Sequence, residues 1–373
     1  MIIGVPKEIK NHEYRIGLTP AGVKELVVNG HDVIVENNGG AAIGFDNEQY
    51  ITAGAKIIDS AAEIFATADM IIKVKEPQPN ECKMLRPGQV LFTYLHLAPD
   101  PQQTELLIAS GATCIAYETV TQNGGGLPLL APMSEVAGRM SIQAGAHALE
   151  KAQGGLGALL GGVPGVAPAK VLIVGGGVVG TQAARMAVGM GADVTILDRS
   201  LPRLRQLDTE FDGRLKTVYS TADAMDQLIG EADLVVGAVL IPGAAAPKLV
   251  TAQHIKMMKK GAVVVDVAID QGGCFETSKA TTHQEPTYVV DDVVHYCVAN
   301  MPGGVARTST MALTNATMPF TVTLANKGAK QAMLDDAHLM AGLNVLGGKI
   351  TYKPVADVLG YDYVPAEDAI ATL

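Results

Sequence analysis

KVLIVGGGVVGTQAARMAVGMGADVTILDRS, from Lys170 to Ser200, is the stretch that decides the fold. An apolar β-branched run, Val171 to Val174, feeds a glycine turn. A segment of helical period follows, Gly191 stops it, and a second apolar run ends at Asp198. Gly175, Gly177 and Gly180 fill the three glycine positions of the dinucleotide-binding βαβ unit. Gly175 permits the tight turn, Gly177 lets backbone approach a pyrophosphate, and Gly180 lets the helix pack closely on the strand. Val178 and Val179 open that helix, whose N–H groups face the phosphates. Asp198 can accept from both ribose hydroxyls and repels a 2′-phosphate, so the expected cofactor is NAD. The neighbouring Arg199 is the residue that could accommodate such a phosphate.

Working outward, the chain has 373 residues, enough for two domains or three, each with its own core. Apolar residues make up 48% and charged residues 18%, a globular composition. A net charge of −10 argues against non-specific nucleic-acid binding. Cys82, Cys114, Cys274 and Cys297 form no CxxC pair and read as free buried thiols in a reducing compartment. The strand-like opening MIIGVPKEI has neither a basic n-region nor an apolar h-region, so no signal peptide is expected. The apolar stretch from Gly154 to Gly180 is broken by Pro164, Pro168 and Lys170 and is not a membrane span.

Before Lys170 the pattern is again α/β. Ile2 to Val5, Asp32 to Glu36, Met70 to Val74, Val90 to Leu95 and Thr113 to Tyr117 read as strands, with helices after Thr19-Pro20, near Ser60 to Ala66 and at Pro101 to Ser110. This alternation predicts a second parallel sheet. Ser134 to Gln153 reads as a long connecting helix. Beyond Asp198, strands are expected at Thr217 to Tyr219, Leu234 to Val239, Val263 to Val267 and Tyr296 to Val298, with helices at Ala222 to Gly230 and Thr251 to Lys259. Thr308 to Lys327 reads as a helix kinked by Pro319. The expected architecture is two doubly wound, Rossmann-like α/β domains with a cleft between them. Residues 1–128 and 308–373 would form a discontinuous substrate domain, and residues 129–307 the nucleotide domain.

In doubly wound sheets ligands lie outside the carboxyl ends of the strands. There the sequence places Lys75, His96, Asp270 and Asn300, with Arg15 in the loop after the first strand. A small α-keto or α-amino acid needs such a set: Arg15 to clamp a carboxylate, Lys75 to add a point charge, His96 to handle a proton near neutral pH, and Asp270 to pair with an ammonium or order water. On spacing alone, Arg15 and Lys75 read rather as solvated surface charges, and His96 as a hydrogen-bonded structural residue. Asp266, in mid-strand, reads as a carboxylate bonded to backbone or a neighbouring turn. No HExxH, GxSxG, P-loop or Cys/His cluster is present, and no metal is expected.

MIIGVPKEIKNHEYRIGLTP, IIKVKEPQ, LFTYLHLAPD, LPLLAPMSEVAGRMS, VLIVGGGVVG, VVDVAIDQGGC and YCVANMPGGVARTST, in this order, resemble the bacterial alanine dehydrogenases over essentially the whole chain. The wider family includes the NAD-binding part of proton-translocating nicotinamide nucleotide transhydrogenases and, more remotely, the saccharopine dehydrogenases. The resemblance implies reversible NAD-dependent oxidative deamination of L-alanine to pyruvate and ammonium. It puts the substrate carboxylate on Arg15 and Lys75 and gives His96 and Asp270 the proton roles. On the nucleotide side it points to Ser134, Asp198, Arg203, Ser220, Val239, Leu240, Val267, Ala268, Ile269, Asp270, Lys279, Val298, Ala299, Asn300 and Met301. It further implies a cytoplasmic homohexamer; from the charge and the broken apolar stretch, no nucleic-acid or membrane partner is expected. The alternative is an NAD(H)-binding component of a transhydrogenase, which would not need Arg15, Lys75 and His96 together and would be partnered with membrane segments.

Overall fold

The structure, a computed structural model, describes residues 1–239 and 246–371. The chain divides into two compact units, Met1–Met133 with Val305–Leu373, and Ser134–Gly304. The first builds strands β1 (Ile2–Val5), β2 (Asp32–Glu36), β3 (Lys56–Ile58), β4 (Met70–Ile72), β5 (Val90–Thr93) and β6 (Thr113–Ala116). The second holds β7 (Lys170–Val174), β8 (Asp193–Asp198), β9 (Lys216–Tyr219), β10 (Leu234–Gly237), β11 (Val263–Asp266), β12 (Thr287–Val290) and β13 (Val293–Tyr296). The chain then returns to the first unit with β14 (Leu343–Leu346) and β15 (Lys349–Ile350).

In the first unit the strands pair in the order β15-β14-β6-β5-β4-β1-β2-β3, and in the second β12-β13-β11-β10-β7-β8-β9. Strands β1 to β6 are parallel, as are all pairs from β13 to β9. The parallel sheet expected from the alternation is present in β1 to β6, and two antiparallel strands extend it: β14 runs antiparallel to β6, and β15 to β14. The second sheet also carries an antiparallel edge, β12 on β13. Sequence reading misses β3, β12, β14 and β15, and the two residues of β15 are too few to show a period. The last parallel strand of the second sheet lies at Val293–Tyr296, earlier than the Tyr296 to Val298 read from the sequence.

Helices cover both faces, so the central strands β4, β5, β6, β10 and β11 are buried on both sides and read as continuous apolar runs. Thr19 caps the first helix, Pro20–Val28, accepting from Gly22 N–H at 3.1 Å, with Pro20 at its first position. The long helix Ala306–Asp335 runs through Pro319, and its non-helical backbone is at Gly328, with φ 74° and ψ 156°. The kink expected at Pro319 is therefore displaced by nine residues to Gly328, whose left-handed conformation only glycine adopts without strain.

Close approach in the second unit is set by Gly180. A Cβ there would lie 1.8 Å from the Gly175 carbonyl oxygen, a clash of backbone against backbone that no rotamer relieves. At Gly189, near the end of the same helix, Val178–Gly189, a Cβ would meet nothing within 4 Å. Gly180→Ala is therefore expected to lose at least about 1–3 kcal/mol through overpacking. Gly189→Ala should be neutral or stabilising. Urea unfolding of both variants checks this, and equal midpoints would refute the packing role of Gly180.

Candidate functional site

Parallel pairing brings the functional side chains of each unit to one sheet edge. In the first unit four adjacent strands, β6, β5, β4 and β1, exit at their carboxyl ends toward Glu118, His96, Lys75 and the loop that carries Arg15. The sequence-predicted trio Arg15, Lys75 and His96 thus sits on neighbouring exits of a single sheet.

Each of the three is held by an acid. Arg15 is buried, and its Nε and Nη2 donate to the two oxygens of Glu13, both at 2.6 Å. Its Nη1 lies 3.2 Å from Met133 Sδ. The surface-charge reading of Arg15 is therefore overturned: the guanidinium is a buried, oriented fork. Lys75 is mostly covered, and its ammonium is 3.8 Å from Glu76, which Lys10 also engages. Burial opposes the Glu76 charge, but Lys75 and Lys10 outweigh it and hold that carboxyl below its ordinary range. His96 has a left-handed backbone, φ 49°, fixed by Glu118, whose Oε1 accepts the His96 N–H at 2.6 Å. The same carboxylate accepts the Leu95 N–H and lies 3.6 Å from His96 Nδ1. The imidazole lies parallel to the Tyr94 ring, with centroids 5.8 Å apart, and Tyr94 donates its hydroxyl to the Leu129 carbonyl. The His96 side chain stays 44% exposed and so remains accessible to a reactant.

In the second unit the strand order reverses at β7, with β8 and β9 on one side and β10, β11 and β13 on the other. The glycine loop leaves β7 at this switch point, where doubly wound sheets bind dinucleotides. On one side Asp198 closes β8, accepting Gly176 N–H through Oδ2 and Ser200 N–H through Oδ1, each at 2.7 Å. Ser220 follows β9 and bonds the Asp198 carbonyl. A cavity of about 240 Å³ opens here, lined by Gly175, Asp198, Arg199, Ser220, Val239 and Leu249 among others. Arg203 reaches back to the loop, with Nε on Gly176 O at 2.6 Å and Nη2 on Thr181 Oγ1 at 2.5 Å.

On the other side, Val267, Ala268, Ile269 and Asp270 leave β11, with Asp270 in a 3₁₀ turn, Ile269–Gln271. Val298, Ala299, Asn300 and Met301 leave β13, and Asn300 N–H lies 3.4 Å from Asp270 Oδ2. Asp266 has the backbone role expected of it: fully buried, it accepts from the N–H groups of Ala268, Cys274 and Phe275 and from Ser278 Oγ. Ser134 lies in the helix Ala131–Ala148. Lys279 lies on the exposed segment before β12, its amide donating to the Tyr288 hydroxyl. Leu240 lies outside the described residues.

The second edge fits a dinucleotide. Gly177 adds the open half of the cradle: a Cβ there would meet nothing within 4 Å, so its missing side chain leaves clear space before the helix N-terminus. That is where a pyrophosphate gains from N–H groups and the helix dipole. A second cavity, about 470 Å³, lies at the opposite edge of the first sheet, beside residues at the starts of β1, β4, β5 and β6, and belongs to neither constellation. The four cysteines are buried and free, and burial pushes the Cys82 and Cys274 thiols up to about 12, which leaves them poor nucleophiles.

Sequence reasoning missed Glu8, Glu13, Glu76 and Glu118. Glu118 had a detectable signal, because it follows a strand at the same offset that drew attention to the other strand-end residues. Glu8 and Glu13 had none, since an acid in a loop reads as solvated. Their burial has a measurable consequence. Arg15→Ala would take the guanidinium away from the Glu13 carboxylate, and breaking a buried pair by removing one partner costs about 3–5 kcal/mol. Urea unfolding should show a loss of that size in Arg15→Ala, and an unchanged midpoint would mean that Glu13 is hydrated.

Comparison with known proteins agrees with this geometry. Residues 4–137 match the family described as "Alanine dehydrogenase/PNT, N-terminal domain", and residues 141–353 match "Alanine dehydrogenase/PNT, C-terminal domain". An alanine dehydrogenase of Halomonas elongata is 63% identical over 370 residues, covering 99% of this chain and 100% of that protein. One of Bacillus subtilis is 58% identical over 371 residues, covering 99% and 98%. A solved L-alanine dehydrogenase superposes with a TM-score of 0.94 at 51% identity, over 96% of this chain and 99% of that one. A transhydrogenase from Sinorhizobium meliloti superposes at 0.81 with 25% identity, over 94% and 99%. A dehydrogenase family of this fold implies a nicotinamide cofactor, and no helix among the described residues is long and apolar enough to cross a membrane. The chain belongs to the alanine dehydrogenase/PNT family.

Proposed function

We propose that this protein is an alanine dehydrogenase that converts L-alanine, water and NAD⁺ reversibly to pyruvate, ammonium, NADH and a proton. The observation that carries the reading is the alignment of Arg15, Lys75 and His96 on three adjacent strand exits, a set that a small carboxylate-bearing substrate needs and a bare hydride carrier does not. The transhydrogenase reading is weaker, because the alanine dehydrogenases resemble this chain at 51–63% identity and the transhydrogenase at 25%.

In this reading residues 1–133 and 305–373 carry the substrate set and residues 134–304 the nucleotide set. Val178, Val179 and the three fingerprint glycines cradle the pyrophosphate. Asp198, Arg203, Ser220 and Val239 border the adenosine half, while Val267 to Asp270 and Val298 to Met301 border the nicotinamide half. Ser134 and Lys279 belong to the same set by resemblance. NAD supplies the hydride acceptor at this site. Arg15 and Lys75 bind the alanine carboxylate through charge-assisted hydrogen bonds, which fixes the Cα.

The substrate ammonium must lose a proton to solvent before hydride leaves the Cα, so that the amine lone pair can form the iminium. Water gives up a proton to a base as it adds, that proton returns to the nitrogen of the carbinolamine, and ammonia leaves as the hydroxyl proton is taken up by the same base. His96, exposed at its ring and fixed at its backbone, takes the proton from the attacking water and then bonds the new oxygen. Asp270 favours the cationic iminium and orients the water. Cytoplasmic location and assembly as a homohexamer complete the proposal, and light scattering at about six times the 38.8 kDa chain mass would support the assembly.

Two experiments test this reading. His96→Ala and Asp270→Asn should each lose at least about two decades of turnover while NADH still binds in a fluorescence titration. Near-normal turnover in His96→Ala would remove it from the proton chemistry. In the second, wild-type efficiency with NAD should exceed that with NADP by at least about a hundredfold, since a carboxylate at position 198 repels the 2′-phosphate. Asp198→Ala should narrow the gap, mostly by weakening NAD, because that carboxylate also pins the Gly176 amide. Equal use of both cofactors by the wild type would show that Arg199 or Arg203 governs the choice.

A further inference from the structure

Behind Lys75 lies a charge cluster that the proposed chemistry does not use. Lys73 is fully buried, and its ammonium sits 3.0 Å from Glu8 Oε2 and 2.9 Å from Glu81 Oε1. A buried ammonium needs a carboxylate, but one would suffice. Glu81 already serves, and its other oxygen stays within its own helix turn, accepting the Gln78 N–H at 2.8 Å. Glu8 is different. Its second oxygen, Oε1, accepts the Val74 N–H at 2.6 Å and the Lys75 N–H at 3.3 Å.

Strand β4 ends at Ile72, so those two amides lie beyond the ladder, where the chain turns to present the Lys75 side chain. The carbonyl side of the turn is fixed separately, Val74 O by the Tyr94 N–H and Lys75 O by Thr93 Oγ1. Glu8 also lies on the loop after β1 that carries Glu13 and Arg15. One carboxylate therefore ties the Arg15 loop to the Lys75 turn.

We propose that Glu8 is a positioning residue for substrate recognition: anchored by Lys73, it sets the placement of the Lys75 turn relative to the Arg15 loop, and hence the spacing of the two cations that receive the substrate carboxylate. This rests on the assignment of Lys75 to substrate binding made above. Its consequence is a separation between two carboxylates that are alike in burial and in their ion pair. Losing Glu81 leaves a Lys73–Glu8 pair and the amide clamp intact. Losing Glu8 leaves a Lys73–Glu81 pair and releases the clamp.

The test compares Glu8→Ala, Glu8→Gln, Glu81→Ala and Lys75→Ala in full-length protein. The measurements are KM and kcat for alanine and pyruvate, NADH affinity by fluorescence, and the urea midpoint. Glu8→Ala should raise both KM values about tenfold or more, with NADH affinity within about twofold of wild type. Glu8→Gln, whose amide oxygen can still accept the Val74 N–H, should recover part of that loss and serves alone should Glu8→Ala not fold. Glu81→Ala should keep KM within about twofold at a comparable cost in midpoint. KM changes that follow the midpoint equally in the Glu8 and Glu81 variants would overturn the proposal, because the cluster would then be structural only. Normal KM in Glu8→Ala alongside a raised KM in Lys75→Ala would overturn it while sparing the Lys75 assignment. Normal KM in Lys75→Ala would instead overturn the assignment on which it rests.

Discussion

Parallel pairing is the constraint on which the rest of this structure depends. Strands that run together leave a sheet at the same edge, and each must then travel over a covering helix before the next begins. Neither sheet can scatter its strand-end residues. In the first unit β6, β5, β4 and β1 deliver Glu118, His96, Lys75 and the Arg15 loop side by side; in the second, β13, β11, β7 and β8 deliver Asn300, Asp270, the glycine loop and Asp198. Residues far apart in sequence become neighbours because strands about 4.8 Å apart end together.

The edge also explains why the site needs so many acids. Beyond the last ladder bond, backbone N–H groups have no strand partner, and a buried unpaired donor is costly. Glu8 takes those of Val74 and Lys75, Glu118 those of Leu95 and His96, Asp198 those of Gly176 and Ser200, and Asp266 those of Ala268, Cys274 and Phe275. The same device recurs in both units: a carboxylate closes the strand exit and so holds the residue that follows it. Gly273, where a Cβ would come within 2.4 Å of Asp266 Oδ2, shows how tightly one of these turns is drawn.

Much of this was legible in the sequence, and what was not has a physical cause. The glycine fingerprint and the apolar runs disclosed the second sheet, because burial on both faces removes polar residues from a strand. Lys75, His96 and Asp270 stood out as polar residues directly after such runs. Short edge strands such as β15, with two residues, carry no period to detect. The break at Gly328 was hidden because proline is the stronger sequence signal, yet Pro319 is accommodated within the helix. The partner acids were hidden for a deeper reason. Glu8 and Glu13 occupy a polar loop, and only the packing of that loop against the β4 exit or against Arg15 decides that they are buried.

Those buried acids change what recognition of an anionic substrate means. A bare cluster of Arg15, Lys73 and Lys75 would attract any anion by charge alone, but burying three cations without partners would cost far more than the attraction returns. Glu13, Glu8, Glu81 and Glu76 neutralise the set and leave little net charge to act at a distance. What survives neutralisation is direction: an oriented guanidinium and an ammonium whose turn is fixed from both its carbonyl and its amide side. A carboxylate gains from such donors only when it sits at the right spacing, because hydrogen bonds weaken steeply with angle. If Arg15 and Lys75 receive the substrate carboxylate, as proposed, selectivity for one small carboxylate over other anions rests on how rigidly the two cations are held, and that rigidity comes from the acids behind them.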